Sequence, residues 1–576
     1  MIIQQLINGL MLGSTYSLVA IGYTLIFGVL GVLHFAHGEV LMAGAFMGLY
    51  IILWSGLPLY ISLPLTMIGT GILGLVIEFL AIRPLRKDFH LAPLLSTIGV
   101  TIILQNLAVK IFGGYGTKFP DPIATANIKF GPYMISSAKL VILGISLSLM
   151  GILYLVIAKT KLGKAMRAVA ESHLTAGFLG VNVERTVLLT FGIASALAGA
   201  AGVMVGISFH AISPFIGLTF ALKGLVVMLL GGLGNVVGAM IGGLILGMAE
   251  VISIVLVPPE INLQDVFSFG IMILILISNL PGYLAPGFDN RKGENGGLDY
   301  IISVGTVAGI SMIMALSFYV PFMTGQISLA QAGFGAIGAY GAAVGSVKLG
   351  LPYEISVILG GILSAGVGFL LGLPALRIKG IYLLLLTLGF GEIVRVILIN
   401  IEYVGGAAGF PAIPYQKYTL FYAYGVILIL IVFFTRLRNS RMGRAMRAVG
   451  DDETAAEING INITATKLKA FAAGAFIAGI GGGILAHFQE FIEPLMFGVM
   501  HSVEYIVFAV FGGVQVFWGP IFGAFVLTFM PEFFRAIQEW RMELYGLLLI
   551  VMMILKPEGV ITNNMVQSIS RMLRRS

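Results

Sequence analysis

The sequence predicts an all-α protein, a polytopic transmembrane helical bundle built as two parallel, pseudo-symmetric halves. Three observations carry this reading. Hydrophobic residues make up 58% of the 576 residues and charged residues only 10%, where a soluble domain carries roughly 25% charged residues. Apolar stretches long enough to span a bilayer recur from one end of the chain to the other. A basic motif that begins at Gly163 returns 280 residues later.

Mean hydropathy is +1.01, so lipid must be the solvent for most of the chain. The 77 glycines suit close helix–helix packing in a membrane. The absence of cysteine excludes disulfides, thiolate metal sites and a cysteine nucleophile. Net charge is +7, but the clustered Lys and Arg lie between apolar segments. They read as orientation signals rather than as a nucleic-acid footprint. The N-terminus, Met1-Ile2-Ile3-Gln4-Gln5-Leu6, has no basic region, so the first apolar segment is expected to stay as a helix.

In the first half the expected spans are 6–32, 38–54, 59–82, 91–112, 138–158, 187–209, 219–257 and 264–285. In the second they are 299–323, 328–348, 353–374, 380–400, 418–435, 467–489, 503–531 and 542–556. Continuous apolar runs of about 20 residues favour helices, and the alternation of a transmembrane barrel is missing. Between the halves lies the polar stretch Gly287-Phe288-Asp289-Asn290-Arg291-Lys292-Gly293-Glu294-Asn295-Gly296-Gly297. It reads as a linker, giving a first half at 1–286, a linker at 287–298 and a second half at 299–576.

The halves repeat each other. Gly163-Lys164-Ala165-Met166-Arg167-Ala168-Val169 returns as Gly443-Arg444-Ala445-Met446-Arg447-Ala448-Val449, and Gly180-Val181-Asn182 as Gly460-Ile461-Asn462. Gly231-Gly232 with Gly238 echoes Gly512-Gly513 with Gly519. Phe35-Ala36-His37 echoes Leu329-Ala330-Gln331. Both copies of the 163/443 loop are basic, so both belong on the cytoplasmic side and the repeat is parallel. Each half then crosses an even number of times. Eight crossings put the linker and Arg571, Arg574 and Arg575 outside. Ten crossings, with broken helices hidden in 6–54 and 219–257, put them inside.

Each basic loop has helical propensity and ends on a conformation-tolerant glycine, Gly180 or Gly460. A short exposed helix with such an end makes a lever on which a motor domain could push. A single loop of this kind reads as a solvated topology signal. Two in register favour a paired docking surface, with Met166, Ala168, Glu171 and Gly180 in one copy and Met446, Ala448, Asp451 and Gly460 in the other.

The Gly-x-Ala-Met-Arg-Ala-Val run followed by Gly-x-Asn resembles the coupling loop of ABC importer permeases of the branched-chain amino acid family. The resemblance covers nearly the whole chain. Gly13-Ser14-Thr15-Tyr16, the run Phe27 to Glu39, Arg83-Pro84-Leu85-Arg86 and Ala92 to Gly99 look like one permease subunit. Gly325 to Gln331, Leu376-Arg377-Ile378-Lys379-Gly380-Ile381-Tyr382 and Thr387 to Arg395 look like its partner subunit. The chain therefore resembles a natural fusion of both. Two places depart: where the second subunit often has His, this chain has Gln331, and the glycine-rich Gly405-Gly406-Ala407-Ala408-Gly409 is a loose match to the family's run. The resemblance implies two cytoplasmic ATPase subunits, an extracytoplasmic solute-binding protein, the inner membrane of a prokaryote, and branched-chain amino acids as solute. Relatives in the family carry urea, amides or nucleosides. An ion-coupled secondary transporter is the rival of another class, disfavoured by the parallel repeat.

Ionisable and polar groups within apolar segments are expensive and mark function. His37 with Gly38, and its repeat partner Gln331, either face each other along a solute path or cap helix ends. Thr97 and Gln105 are eight apart, two turns on one helix face. Thr387 and Glu392 lie in the matching segment, and Glu392 can pair with Arg395 at i, i+3. Glu250, Glu490, Glu493 and Glu504 are expected near membrane surfaces. Gly333-Phe334-Gly335-Ala336-Ile337-Gly338 imitates a dinucleotide motif, but the strand–turn–helix context is missing. His34 and His37 lack further converging ligands, so a metal is not expected. The sequence has no phosphate loop and no Ser/His/Asp signature. The chain is thus expected to be neither an enzyme nor a binder of any cofactor, with ATP bound by partner subunits.

Overall fold

The computed structural model describes residues 2–85, 92–120, 127–130, 133–256, 297–375, 378, 380–533, 540–562 and 565. The expected span 264–285, most of the linker, Arg86, Leu376, Arg377, Lys379 and the C-terminal arginines lie outside these residues. Twelve helices among the described residues are long and apolar enough to cross a membrane.

The chain packs as two units, Met1–Leu284 with Trp540–Pro557, and Ala285–Glu539 with Glu558–Ser576. The first unit holds α1 (Ile2–Leu30), α2 (His37–Ser55), α3 (Leu59–Ile77), α4 (Ala92–Phe112), α5 (Ser137–Lys159), α6 (Lys161–Glu171), α7 (His173–Phe178), α8 (Val183–Phe209), α9 (Ile216–Leu230) and α10 (Val236–Leu256). The second repeats the order: α11 (Gly297–Phe322), α12 (Gln331–Ala343), α13 (Tyr353–Ala375), α14 (Ile381–Asn400), α15 (Thr419–Asn439), α16 (Arg441–Asp451), α17 (Glu453–Ile458), α18 (Ile463–Gln489), α19 (Val499–Gly512) and α20 (Trp518–Phe533). Among the described residues, strand is confined to a hairpin, Asn127–Phe130 with Tyr133–Ser136, and a two-residue pairing of Thr117–Lys118 with Ala211–Ile212.

Two expected spans are corrected. Segments 219–257 and 503–531 are not single helices but pairs, α9 with α10 and α19 with α20. The repeated glycines explain the break. A Cβ on Gly238 would lie 1.8 Å from the Gly231 carbonyl oxygen, and one on Gly519 1.8 Å from that of Gly513. Only glycine lets the two arms of each turn approach so closely. Gly232 and Gly513 also adopt φ of +87° and +109°, where a side chain would be strained. The 15 residues of α9 reach roughly 22 Å, short of the roughly 30 Å hydrocarbon core.

Glycine also sets the long crossings. In the first unit Gly9 and Gly13 of α1 meet Gly243 and Gly247 of α10, and a Cβ on Gly247 would lie 2.2 Å from the Gly13 nitrogen. This is small-residue packing of backbone on backbone, which substitutes for a hydrophobic driving force that lipid cannot supply. Gly44 against Gly199 and Gly338 against Gly479 repeat one contact in both units. One element leaves the half that encodes it. The last helix, α21 (Arg541–Leu555), packs on α4 in the first unit, where Gly99 and Gly546 face each other. Lys110 of α4 stands 3.6 Å over the Trp540 ring and 3.5 Å from Glu543.

Candidate functional site

Side-chain caps build each basic hairpin. The Thr160 hydroxyl accepts the Gly163 N–H at 3.1 Å, and Ser440 accepts that of Gly443 at 3.1 Å. Ser172 caps α7 through Thr175, and Asp452 caps α17 through Thr454 and Ala455. Asn182 and Asn462 cap the long helices that follow. Each cap stabilises its helix by roughly 1 kcal/mol, so both hairpins are encoded locally. Gly180 and Gly460, at φ +82° and +76°, close the outgoing ends. The Val181 N–H reaches the Ala176 carbonyl at 3.0 Å, and the Ile461 N–H reaches that of Ala456 at 3.1 Å.

Every third residue turns inward. Gly163, Met166 and Val169 are buried, as are Gly443, Met446 and Val449. Met166 and Met446 therefore hold the hairpins on their own bundles. Ala168 and Ala448 are half-buried, and Glu171, Gly180, Asp451 and Gly460 are exposed. Leu174, Phe178 and Leu179 of the first hairpin and Ile458 of the second are also exposed. Large apolar side chains exposed on a short polar segment suit an interaction surface. In the second hairpin a groove of about 500 Å³ runs between α16 and α17, past Ala445, Ala448, Asp451 and Ala455.

The hairpins touch the ends of the first helix of each unit. The His173 ring nitrogen Nε2 lies 2.7 Å from the Val29 carbonyl oxygen of α1. A Cβ on Gly450 would lie 2.5 Å from the Met323 carbonyl oxygen, just past α11. Gly31 and Gly325 follow at φ +67° and +74°. The chain then runs without helix to His37 and Gln331, and residues 33–36 and 328–330 are buried. Backbone in that setting needs partners. Thr97 of α4 accepts the Phe35 N–H at 3.2 Å, and Thr387 of α14 accepts the Leu329 N–H at 2.8 Å. Each hydroxyl also donates to the carbonyl three residues back, Leu94 or Leu384. Replacing Thr97 or Thr387 by Val keeps the shape and orphans a buried N–H, at a cost of about 1–3 kcal/mol. Faster amide exchange at Phe35 and Leu329 is the expected readout, with Ser at either position restoring protection; unchanged exchange would refute the clamp.

The remaining candidates divide. His37, Gly38, Gln331 and Glu392 are buried, and Gln105 is half-buried two turns beyond Thr97. The His37 ring packs edge-on against Tyr23 at 4.6 Å. Gly38 crosses Gly217 backbone to backbone at the start of α9, beside the Glu39 carboxylate. Glu392 pairs with Arg395 and accepts the Val499 N–H at 3.1 Å. Each unit thus brings a buried carboxylate to the N-terminal end of its short helix, α9 or α19, where the helix dipole favours negative charge. Glu39 reaches it from α2 and Glu392 from α14.

Glu250, expected near a surface, is fully buried. It accepts from Lys223 at 2.8 and 2.9 Å and from the Tyr16 hydroxyl at 2.8 Å. This cluster joins α1, α9 and α10. Lys223 was not among the expected residues, although a lysine inside the apolar stretch 219–257 is signal enough for a buried partner.

Bundles repeated in the same order, each with a capped basic hairpin and polar breaks inside its apolar region, define a multi-pass membrane permease. The family described as branched-chain amino acid transport system / permease component matches residues 5–276 and again 300–556, and the chain belongs to it. The chain is 38% identical over 298 residues to BraD of Pseudomonas aeruginosa, a high-affinity branched-chain amino acid transport system permease protein, covering 49% of this chain and 95% of BraD. LivH of Escherichia coli (strain K12), 36% identical over 295 residues, covers 49% of this chain and 95% of LivH. LivM of Salmonella typhimurium, 34% identical over 297 residues, covers 45% of this chain and 69% of LivM. LivH and LivM match the two halves, so the chain is a fused permease pair.

Proposed function

We propose that the chain is the membrane component of an ATP-driven importer of branched-chain amino acids in the inner membrane of a prokaryote. The observation that carries this is the hairpin pair, matched cap for cap within a single chain. One cytoplasmic ATPase subunit docks on α6–α7 and a second on α16–α17. Ala168, Glu171 and Gly180 meet the first; Ala448, Asp451 and Gly460 meet the second. ATP is bound and hydrolysed by those subunits, and the permease itself contributes no cofactor and no catalysis. An extracytoplasmic binding protein delivers the solute.

Force applied to a hairpin reaches the end of α1 through His173 and Val29, and the end of α11 through Gly450 and Met323. From there it passes to the buried non-helical segments that Thr97 and Thr387 hold. These segments carry His37 and Gln331 at the first turns of α2 and α12, and with Gly38, Gln105 and Glu392 they are the residues assigned to the solute path. Reconstitution tests the reading. Uptake of leucine, isoleucine or valine by vesicles holding the chain with its ATPase and binding protein is expected to require ATP inside the docking compartment. Uptake driven by an ion gradient without ATPase would overturn it.

A further inference from the structure

The second unit carries a pocket whose lining residues the first mostly does not repeat. It opens where α15 gives way to α16 and has a volume of about 180 Å³. Tyr319, Phe434 and Phe517 are buried and form its apolar floor. Their rings touch, Tyr319 to Phe434 at 5.6 Å and Phe434 to Phe517 at 5.8 Å. Arg438 and Arg447 stand at the rim with Gln515. Arg447 directs Nη2 to the Arg438 carbonyl oxygen at 2.9 Å, which fixes the guanidinium beside the pocket while its planar fork offers further donors.

The aromatic floor continues to the outside. Phe433 lies 5.3 Å from Phe434 and Trp518 lies 4.9 Å from Phe517, and both outer rings are more than 40% exposed. Two guanidiniums above an apolar track suit an amphiphile with one phosphate and a hydrocarbon tail. A small hydrophilic anion would gain nothing from the rings.

The duplication supplies a comparison within the chain. At the matching positions the first unit has Leu25, Tyr154 and Val236 for the three floor residues, Ala158 for Arg438 and Gly234 for Gln515. Only Arg167 is kept, opposite Arg447. Arg447 and Arg167 thus belong to the repeated hairpin, whereas Arg438 and two of the rings are particular to one copy.

We infer that this pocket binds the phosphate headgroup of an anionic phospholipid, with its acyl chain along Phe433 and Trp518. On the sidedness proposed above, the lipid belongs to the inner leaflet, where basic pockets beside transmembrane helices recognise anionic headgroups. The test reads binding and does not depend on what the chain transports. The full chain is purified into micelles doped with phosphatidylglycerol or phosphatidylcholine of the same chain length, and retained lipid is counted by native mass spectrometry. Phosphatidylglycerol is expected to be retained preferentially. Arg438→Gln should reduce its retention about five-fold, the effect of one basic contact at a membrane surface. Arg436→Gln, on the same helix but outside the pocket, should leave retention near that of the parent. If Arg438→Gln fails to fold, Arg447→Gln together with the lipid preference of the parent makes the same test. Equal retention of both lipids, or equal loss in Arg436→Gln, would overturn the proposal. So would displacement of phosphatidylglycerol by millimolar inorganic phosphate, which would make the site one for a soluble anion.

Discussion

A chain carrying Ala168→Asp together with Ala448→Asp is expected to fold and insert as the parent does, while solute uptake falls by at least about ten-fold. Both alanines lie off the inward face of their helices, which is made by Gly163, Met166 and Val169 in one copy and Gly443, Met446 and Val449 in the other. A carboxylate at 168 or 448 therefore leaves the packing of the hairpin intact. In a docked interface it would put a desolvated negative charge where the docked partner now meets a methyl group, and a poorly compensated buried charge weakens association by roughly 2–5 kcal/mol. ATPase activity should persist in the partner subunits while its coupling to uptake is lost. Serine at both positions is small and neutral and should preserve uptake. Normal uptake in the aspartate double variant would remove the docking assignment.

The second large effect is at Lys223. Lys223→Met takes away the ammonium that pairs with the buried Glu250 carboxylate and leaves the bond from the Tyr16 hydroxyl. Removing one partner of a buried ion pair costs about 3–5 kcal/mol, so the thermal midpoint in detergent should fall by roughly 10 °C. Combining Lys223→Met with Glu250→Leu removes both charges, and at least half of the loss should return, because two apolar side chains replace a buried pair at little net cost. A double variant no more stable than the single one would show that the cluster acts through something other than charge balance. The loss should show first as disorder between α1, α9 and α10, the three helices that the cluster joins.

Much of this architecture was legible in the sequence. Continuous apolar runs marked α1 to α5, and the 280-residue spacing marked the twin hairpins. The serine, threonine, aspartate and asparagine caps are local, so their positions carry over directly from residue type. The breaks between α9 and α10 and between α19 and α20 were less legible, because hydropathy averages over a turn made mostly of glycine. The glycines Gly231, Gly238, Gly512 and Gly519 were visible as an echo, but only the backbone approach explains them. The threonine clamps were half visible. Thr97 and Thr387 stood out as polar groups in apolar runs, yet their partners are main-chain N–H groups of Phe35 and Leu329, which no side-chain pattern announces. Glu250 was misplaced and Lys223 missed for a related reason: 27 residues separate them along the chain, and the turn that folds α10 back on α9 brings them together. The placement of α21 with the first unit follows no local signal, because its contact with α4 rests on Gly99 and Gly546, far apart in sequence.

One chain is proposed to present two motor-docking hairpins. The most direct measurement is the mass of the assembled complex after purification with its ATPase partner. One permease chain with two ATPase subunits is expected, with one ATPase lost when either Ala168→Asp or Ala448→Asp is introduced alone. A complex with two permease chains and two ATPase subunits, or one whose ATPase content ignores both substitutions, would contradict it.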